Sequence, residues 1–172
     1  GCNTMRCAIF GNPGWQGIGA ADDGTQFDPK KLDQFDYFIS QLASQGIYYR
    51  FSPNWSVRIL PKNKDRMLNY DEIMKYVNPI GGKANGGTVC LANFAEDVQD
   101  IIIEKMVNLL KHQNPYTQKT YAQDPALCSI EMQNEDDIFW YGVANAFKAC
   151  PTYAKKFNDR YNTWLKQRYN SQ

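Results

Sequence analysis

At 172 residues the chain suits one domain with a full core, yet it is shorter than the ~200 residues or more that a closed eight-stranded (β/α) barrel usually needs. Lys and Arg number 19 against 18 Asp and Glu, and a formal charge of +1 gives no electrostatic ground for nucleic acid or another polyanion as partner. No apolar stretch approaches 18 residues and no signal-peptide core is present, so neither a span nor a membrane partner is expected.

The chain starts at Gly1 rather than Met, which leaves room for an upstream segment that has been removed, and the compartment stays open. Asn54-Trp55-Ser56 fits a glycosylation acceptor, compatible with secretion, though such triplets often arise by chance. Cys2, Cys7, Cys90, Cys128 and Cys150 form an odd set without CxxC spacing, which argues against a metal site and against a disulfide framework; neither metal nor cofactor is implied. Aromatic residues make up 14% of the chain. Their first use is core packing, and their second is a platform for the C–H faces of sugar rings.

Residues 4–10 form a short, mostly apolar run closed by Gly11-Asn12-Pro13-Gly14, a buried strand followed by a loop. That loop holds Trp15 and several glycines up to Gln26, and exposure is expected for it. Asp28 reads as an N-cap with Pro29 at the first helical position; Leu32, Phe35, Phe38, Ile39 and Leu42 follow at helical spacing, and Gly46 stops the helix. A second strand is predicted over 47–51 and a short helix over 71–77. Gly81-Gly82 and Gly86-Gly87 mark a flexible loop without the strand or the Gly-Lys signature of a phosphate cradle. Residues 87–91 make a weak candidate for a further strand.

Asn93 with Glu96 resembles a capping box. Phe94, Val98, Ile101, Ile102, Met106, Leu109 and Leu110 then line one face of a long helix ending near His112, whose place there suits a C-terminal dipole or capping role rather than a Ser/His/Asp triad. A turn-rich loop from Asn114 leads into a strand over 127–133. Helices over 138–148 and 152–168 finish the chain, the last bearing Tyr153, Phe157, Tyr161, Trp164 and Leu165. Alternation of strands and helices predicts one α/β domain over 1–172, with parallel strands joined by right-handed helical crossovers.

Side chains alternate along the third strand, placing Leu127, Ser129, Glu131, Gln133 and Glu135 on one side and Cys128, Ile130 and Met132 on the other. The Cys/Ile/Met side is expected to pack on helices, with Cys128 a small buried hydrophobe. The acid-bearing side suits a barrel interior. Glu131 would lie about 13 Å deeper than Glu135 (four residues at ~3.3 Å each) and reads as a structural acid held by Arg6 or Arg50. Glu135, at the mouth, is the better proton donor, and Asn134 beside it suits a sugar hydroxyl. Asp136 and Asp137 are assigned to the start of the next helix.

The stretch Leu32-Asp33-Gln34-Phe35-Asp36-Tyr37-Phe38-Ile39 through Gly46-Ile47-Tyr48 resembles the second helix and third strand of cellulase-like glycoside hydrolases. So do Asn114-Pro115-Tyr116-Thr117, Tyr121, Asp124-Pro125-Ala126-Leu127 and Glu131 with Asn134-Glu135. The resemblance is to a family-five-like branch of the clan of retaining (β/α)8 enzymes. It implies that Glu135 is the general acid/base, that Asn134 is the neighbouring substrate-binding amide, and that Arg6 is the arginine near the end of the second barrel strand. Trp55, Trp140 and Tyr141 would lie near the mouth, placed to stack on sugars.

Such enzymes carry their nucleophile at the end of the seventh strand, and only about strands two to four have counterparts here. A retaining mechanism needs two carboxyl groups about 5–5.5 Å apart, and no second carboxylate stands in an equivalent context. The expectation is therefore a half (β/α) barrel acting on β-linked glycans, weakly active or inactive alone. The alternative is a non-catalytic half-barrel that self-assembles and binds glycans weakly. Either would pair with a second copy or with a complementary half-barrel chain, because an open sheet exposes its edges.

Overall fold

The computed structural model describes residues 1–8, 10–14, 17–54, 56–76, 87–139 and 142–169. In chain order the elements are β1 (Thr4–Ala8), α1 (Pro29–Ser44), β2 (Tyr48–Ser52), α2 (Tyr70–Lys75), α3 (Glu96–Lys111), β3 (Gln113–Asn114), β4 (Lys119–Thr120), β5 (Leu127–Ile130), α4 (Val143–Ala149) and α5 (Pro151–Tyr169), with short 3-10 turns between some of them. β1, β2 and β5 form a parallel three-stranded sheet in that spatial order, and β3 with β4 makes a small antiparallel ribbon. The molecule is mixed α/β, as the alternation of strands and helices predicts.

α1 begins where the sequence places it. The Asp28 carboxylate accepts from the backbone N–H groups of Lys30 and Lys31, both at 3.0 Å, and Pro29 occupies the first turn, where its missing N–H costs nothing. The stop comes from Gly46, whose φ of 69° is a left-handed conformation that a residue with a Cβ adopts only at a cost.

The helix lays Ile39, Leu32, Phe35 and Leu42 onto one face of the sheet, where Cys7, Tyr49, Phe51, Leu109 and Tyr121 complete a core. A second core joins α2, α3, α4 and α5 through Val57, Ile59, Ile73, Tyr76, Val98, Ile101, Ala146 and Tyr153. α3 thus contributes to both cores, Leu109 to the first and Ile101 to the second. Each such side chain is worth about 1.5–3 kcal/mol of burial.

Several expectations are corrected. β5 stops at Ile130 rather than 133: the Glu131 N–H makes a last bond to Phe51 O at 2.7 Å, and the chain then turns so that the Asn134 N–H reaches Asn54 O at 3.2 Å. Glu135 therefore does not share a strand face with Glu131, and the separation calculated for an extended strand does not apply.

Cys128 is exposed, as are Ile130 (36%) and Met132 (50%). The terminal helices do not cover that side of the edge strand. They pack on α2 and α3, with the Thr152 N–H donating to Glu72 at 2.9 Å and Phe157 against Phe94 at 5.1 Å between centroids.

Residues 87–91 form no strand, because Cys90 takes a φ of 68° and the chain closes into a 3-10 turn at Leu91–Asn93. That turn occupies Asn93, whose amide donates to Cys90 O at 3.2 Å, so the N-cap of α3 is Ala95 without a side-chain bond. The loop after β1 is largely buried: Ile18 enters the core, and backbone bridges join Pro13 to Ile18 and Gly19 to Phe27. Gly17 is obligatory there, since a Cβ would lie 1.8 Å from Asn12 O. α4 starts at Val143, five residues later than expected, because an Asp137-capped turn intervenes (Phe139 N–H to Asp137 Oδ1, 2.6 Å). Trp15 and the Gly81-Gly82 and Gly86 positions lie outside the described residues. No described helix is long and apolar enough to cross a membrane.

Candidate functional site

The sheet face opposite α1 bears Arg6 from β1, Arg50 and Ser52 from β2, and Glu131 just past β5. Parallel register sets Arg6 beside Arg50 and Arg50 beside Ser129, which brings both guanidinium groups to the carboxylate that follows. Arg6 Nη2 lies 2.7 Å from Glu131 Oε2 and Arg50 Nη2 lies 3.1 Å from Oε1. Ser52 Oγ also donates to Glu131 Oε2. The serine hydrogen bond, and then the two arginines, hold the Glu131 carboxyl down at about 2. An acid so thoroughly ionised cannot deliver a proton near neutral pH. Glu131 is the structural acid that its position on the strand predicted.

Arg6 extends the network to the carboxyl ends of the strands, where it donates to Asn134 Oδ1. Asn134 is buried, and its N–H on Asn54 O ties the end of β5 to the end of β2. β1 joins the same corner through the Gly11 N–H to Pro53 O at 2.8 Å. A Cβ at Gly11 would stand 2.7 Å from both Asn54 Oδ1 and Pro53 O, so this close approach of backbones requires glycine. The Asn54 side chain is itself buried, and neither its oxygen nor its nitrogen has a hydrogen-bond partner among the described residues.

Glu135 stands at the apex of the turn that follows. It is exposed, and its φ of 50° is unusual for a residue with a Cβ. Its neighbours are fixed on both sides: Asn134 as above, and Asp136 through its Oδ1, which accepts from the Cys90 N–H at 2.8 Å. Asp136 is not a solvated helix-start acid as expected. It is buried, and burial pushes its carboxyl up to about 6 against the opposing Cys90 hydrogen bond. Cys90, to which it hooks, is itself in a left-handed conformation. Backbone strain at two non-glycine residues is thus concentrated around one turn, a pattern often found at functional sites.

Of the residues expected at the site, the structure brings Arg6 and Asn134 into contact and puts Glu135 next to them. Trp55, Trp140 and Tyr141 lie outside the described residues. Sequence reasoning missed Asn54 and Asp136. Asn54 had a legible signal, an amide just beyond a parallel strand, where ligands of open α/β sheets bind. His112 ends α3 as expected, but its ring also reaches across to α1, with Nε2 2.6 Å from Asp36 Oδ2. Tyr121 donates to the other Asp36 oxygen at 2.5 Å.

A depression of about 210 Å³ lined by Ala43, Gly46, Ile47, Tyr48, Pro125 and Ala126 sits at the opposite end of the sheet, where β2 and β5 begin, and has none of this chemistry. No group of three or more His, Cys, Asp or Glu among the described residues could hold a metal ion. No protein-family model, curated protein or solved structure matches the chain.

Proposed function

We propose that the chain is a half-barrel of a cellulase-like glycoside hydrolase acting on β-linked glycans, with Glu135 as general acid/base and Asn134 and Arg6 as its substrate-facing supports. The observation behind this reading is the convergence at the carboxyl ends of three parallel strands. Arg6, Asn54 and Asn134 interlock there and present Glu135, in a strained backbone, to solvent. In such a role Glu135 protonates the glycosidic oxygen as the bond to the leaving group breaks, and Asn134 orients a hydroxyl of the sugar ring.

The Arg6–Glu131–Arg50 cluster would fill the barrel interior beneath that mouth. Glu131, locked between two arginines and a serine, is unsuited to nucleophilic attack. Retaining hydrolysis therefore requires a carboxylate from outside these elements.

The test is hydrolysis of an aryl β-glucoside and of cello-oligosaccharides by purified protein, alone and with Glu135→Gln. Activity that falls by ~10²-fold or more in the variant supports the reading, in line with the usual worth of a general acid. Activity equal in both removes Glu135 from the mechanism.

The second reading is a non-catalytic half-barrel that assembles through its sheet. It is favoured by Met5 (38% exposed) on β1 and by Ile130 and Met132 on or just past β5, apolar residues at edges that have no further strand among the described residues. Binding of cello-oligosaccharides without turnover by either protein would select it.

A further inference from the structure

Glu135 is the single residue between two anchors. Before it the Asn134 N–H bonds Asn54 O at 3.2 Å, and after it Asp136 Oδ1 accepts from the Cys90 N–H at 2.8 Å. Glu135 joins them in its left-handed conformation, with a φ of 50°. A residue with a Cβ keeps that conformation only while its surroundings impose it, so losing either anchor lets it relax.

The second anchor differs in kind from the first, because it is a titratable side chain. It ties the turn to Cys90, which is left-handed as well and opens the 3-10 turn Leu91–Asn93 ahead of α3. Asp136 is only 8% exposed, and its Oδ2 is buried without a hydrogen-bond partner among the described residues. The two amides beside it serve carbonyls instead: Gln133 Nε2 donates to Asp136 O at 2.9 Å and Asn93 Nδ2 to Cys90 O at 3.2 Å.

Tyr76, the Cys90 thiol and the Asp137 carboxyl stand around Asp136, and none of the three supplies a positive charge. Tyr76 and Cys90 are buried and neutral at pH 7, pushed up by burial, while the Asp137 carboxylate repels a second negative charge. A buried carboxyl with one oxygen paired and the other bare is at ease when neutral and disfavoured when charged. Ionisation therefore favours a turn in which Asp136 reaches water and leaves Cys90, and Glu135 loses its second anchor.

We propose that Asp136 is a pH-operated latch on the turn that carries Glu135: neutral, it stays hooked on the Cys90 N–H and fixes Glu135 at the carboxyl ends of the strands; ionised, it opens far more readily. The latch closes on the acid side, where a general acid is best supplied with its proton. That benefit rests on the catalytic reading of Glu135. The latch itself does not, and its test uses no substrate.

Amide hydrogen exchange followed by NMR on the whole chain tests it, with Asp136→Asn and Glu135→Gln for comparison. With the Asp136 carboxyl at about 6 in the closed turn and ~3.9 once solvated, the protection factor of the Cys90 N–H is expected to fall about 10-fold from pH 5 to pH 7. It should also lie below that of the Tyr49 N–H, which bonds Ala126 O at 2.8 Å in the other core, because the latch opens without unfolding the sheet. The backbone shifts of residue 135 should move over the same pH range in the wild type and in Glu135→Gln, which lacks a carboxyl of its own there. Asp136→Asn keeps an acceptor that cannot ionise, and it should abolish both effects. Cys90 protection that is flat with pH, that equals Tyr49's throughout, or that keeps its pH dependence in Asp136→Asn would overturn the latch. So would residue 135 shifts that stay still while Asp136 titrates.

Discussion

Lys105 occupies the apolar side of α3 with only 2% of its surface exposed, its ammonium 3.3 Å from Asn12 Oδ1. Burial pushes its pKa down to about 7, and the Asp23 carboxylate offsets only part of that. The unfolded chain holds this proton up to roughly 10.4. Between about 7 and that value the unfolded state binds more protons, so stability rises with pH. Above roughly 8.5 the buried thiols of Cys7, Cys90 and Cys150, raised to about 11, 12 and 12, act in the opposite sense and lose stability as pH climbs. Lys105→Met is therefore expected to flatten the rise from pH 7 to about 8.5 and to raise the urea midpoint at pH 7.

Asp136 makes a parallel case on the acid side. Its folded pKa of about 6 lies above the ordinary ~3.9, so its contribution is fully present below ~3.9 and is lost as pH rises through 6. Asp136→Asn keeps an acceptor for the Cys90 N–H without the charge. It is expected to be at least as stable as the wild type at pH 7, with the loss between pH 4 and 6 gone. A lower urea midpoint at pH 7 would show that the carboxylate is needed as such. Glu131, held down at about 2, works in a lower window, losing its contribution as pH falls from ~4.5. Neither buried group was legible beforehand. Lys105 sits between Glu104 and Met106 without a sequence signal of burial, and Asp136 looks like an ordinary acid ahead of a helix.

Among the elements, those specified by local chemistry were legible and those specified by tertiary contact were not. α1 is the clearest of the first kind, with Asp28-Pro29 at one end and Gly46 at the other. Asp28→Ala removes the acceptor for two backbone N–H groups and is expected to cost about 1 kcal/mol, read from the urea midpoint at constant slope. A change below a few tenths would mean that solvent satisfies those groups as well as the carboxylate does.

α3 shows the other kind. Asn93 and Glu96 have capping-box spacing, but the 3-10 turn upstream takes Asn93, and Glu96 serves Lys156 and Arg160 of α5 instead. β5 likewise looked longer than it is. Alternating residues continue to 135, while the hydrogen bond from Asn134 to Asn54 bends the chain away. Of the candidate site, the Glu131 ion pairs with Arg6 and Arg50 were expected from the neighbouring strands, whereas Arg6 and Asn134 were singled out by resemblance and their contact arises from the turn after β5. The strain at Glu135 was not legible, because a left-handed glutamate leaves no trace in a sequence.

At the scale of the whole molecule, a net charge of +1 conceals both the cation-rich end of α5 and the arginine pair on the open sheet face. The sheet itself sets the last question. One face is covered by α1 and α3, and the other shows Arg6, Arg50 and Glu131 to solvent, with Tyr48 52% exposed beside them. Among the described residues the outer edges of β1 and β5 are unpaired. Three parallel strands with open edges and apolar flanks invite another sheet to add to them.

The chain is therefore expected to exceed one protomer's mass by light scattering at micromolar concentration, through pairing at β5, whose exposed Ile130 adjoins Met132. Ile130→Lys puts a charge on that edge without touching either core and should return the mass to 19.8 kDa, leaving the circular dichroism spectrum unchanged. If the wild type is already a single protomer, the open face is stable in water. The arginine–glutamate cluster, rather than a partner chain, then accounts for it.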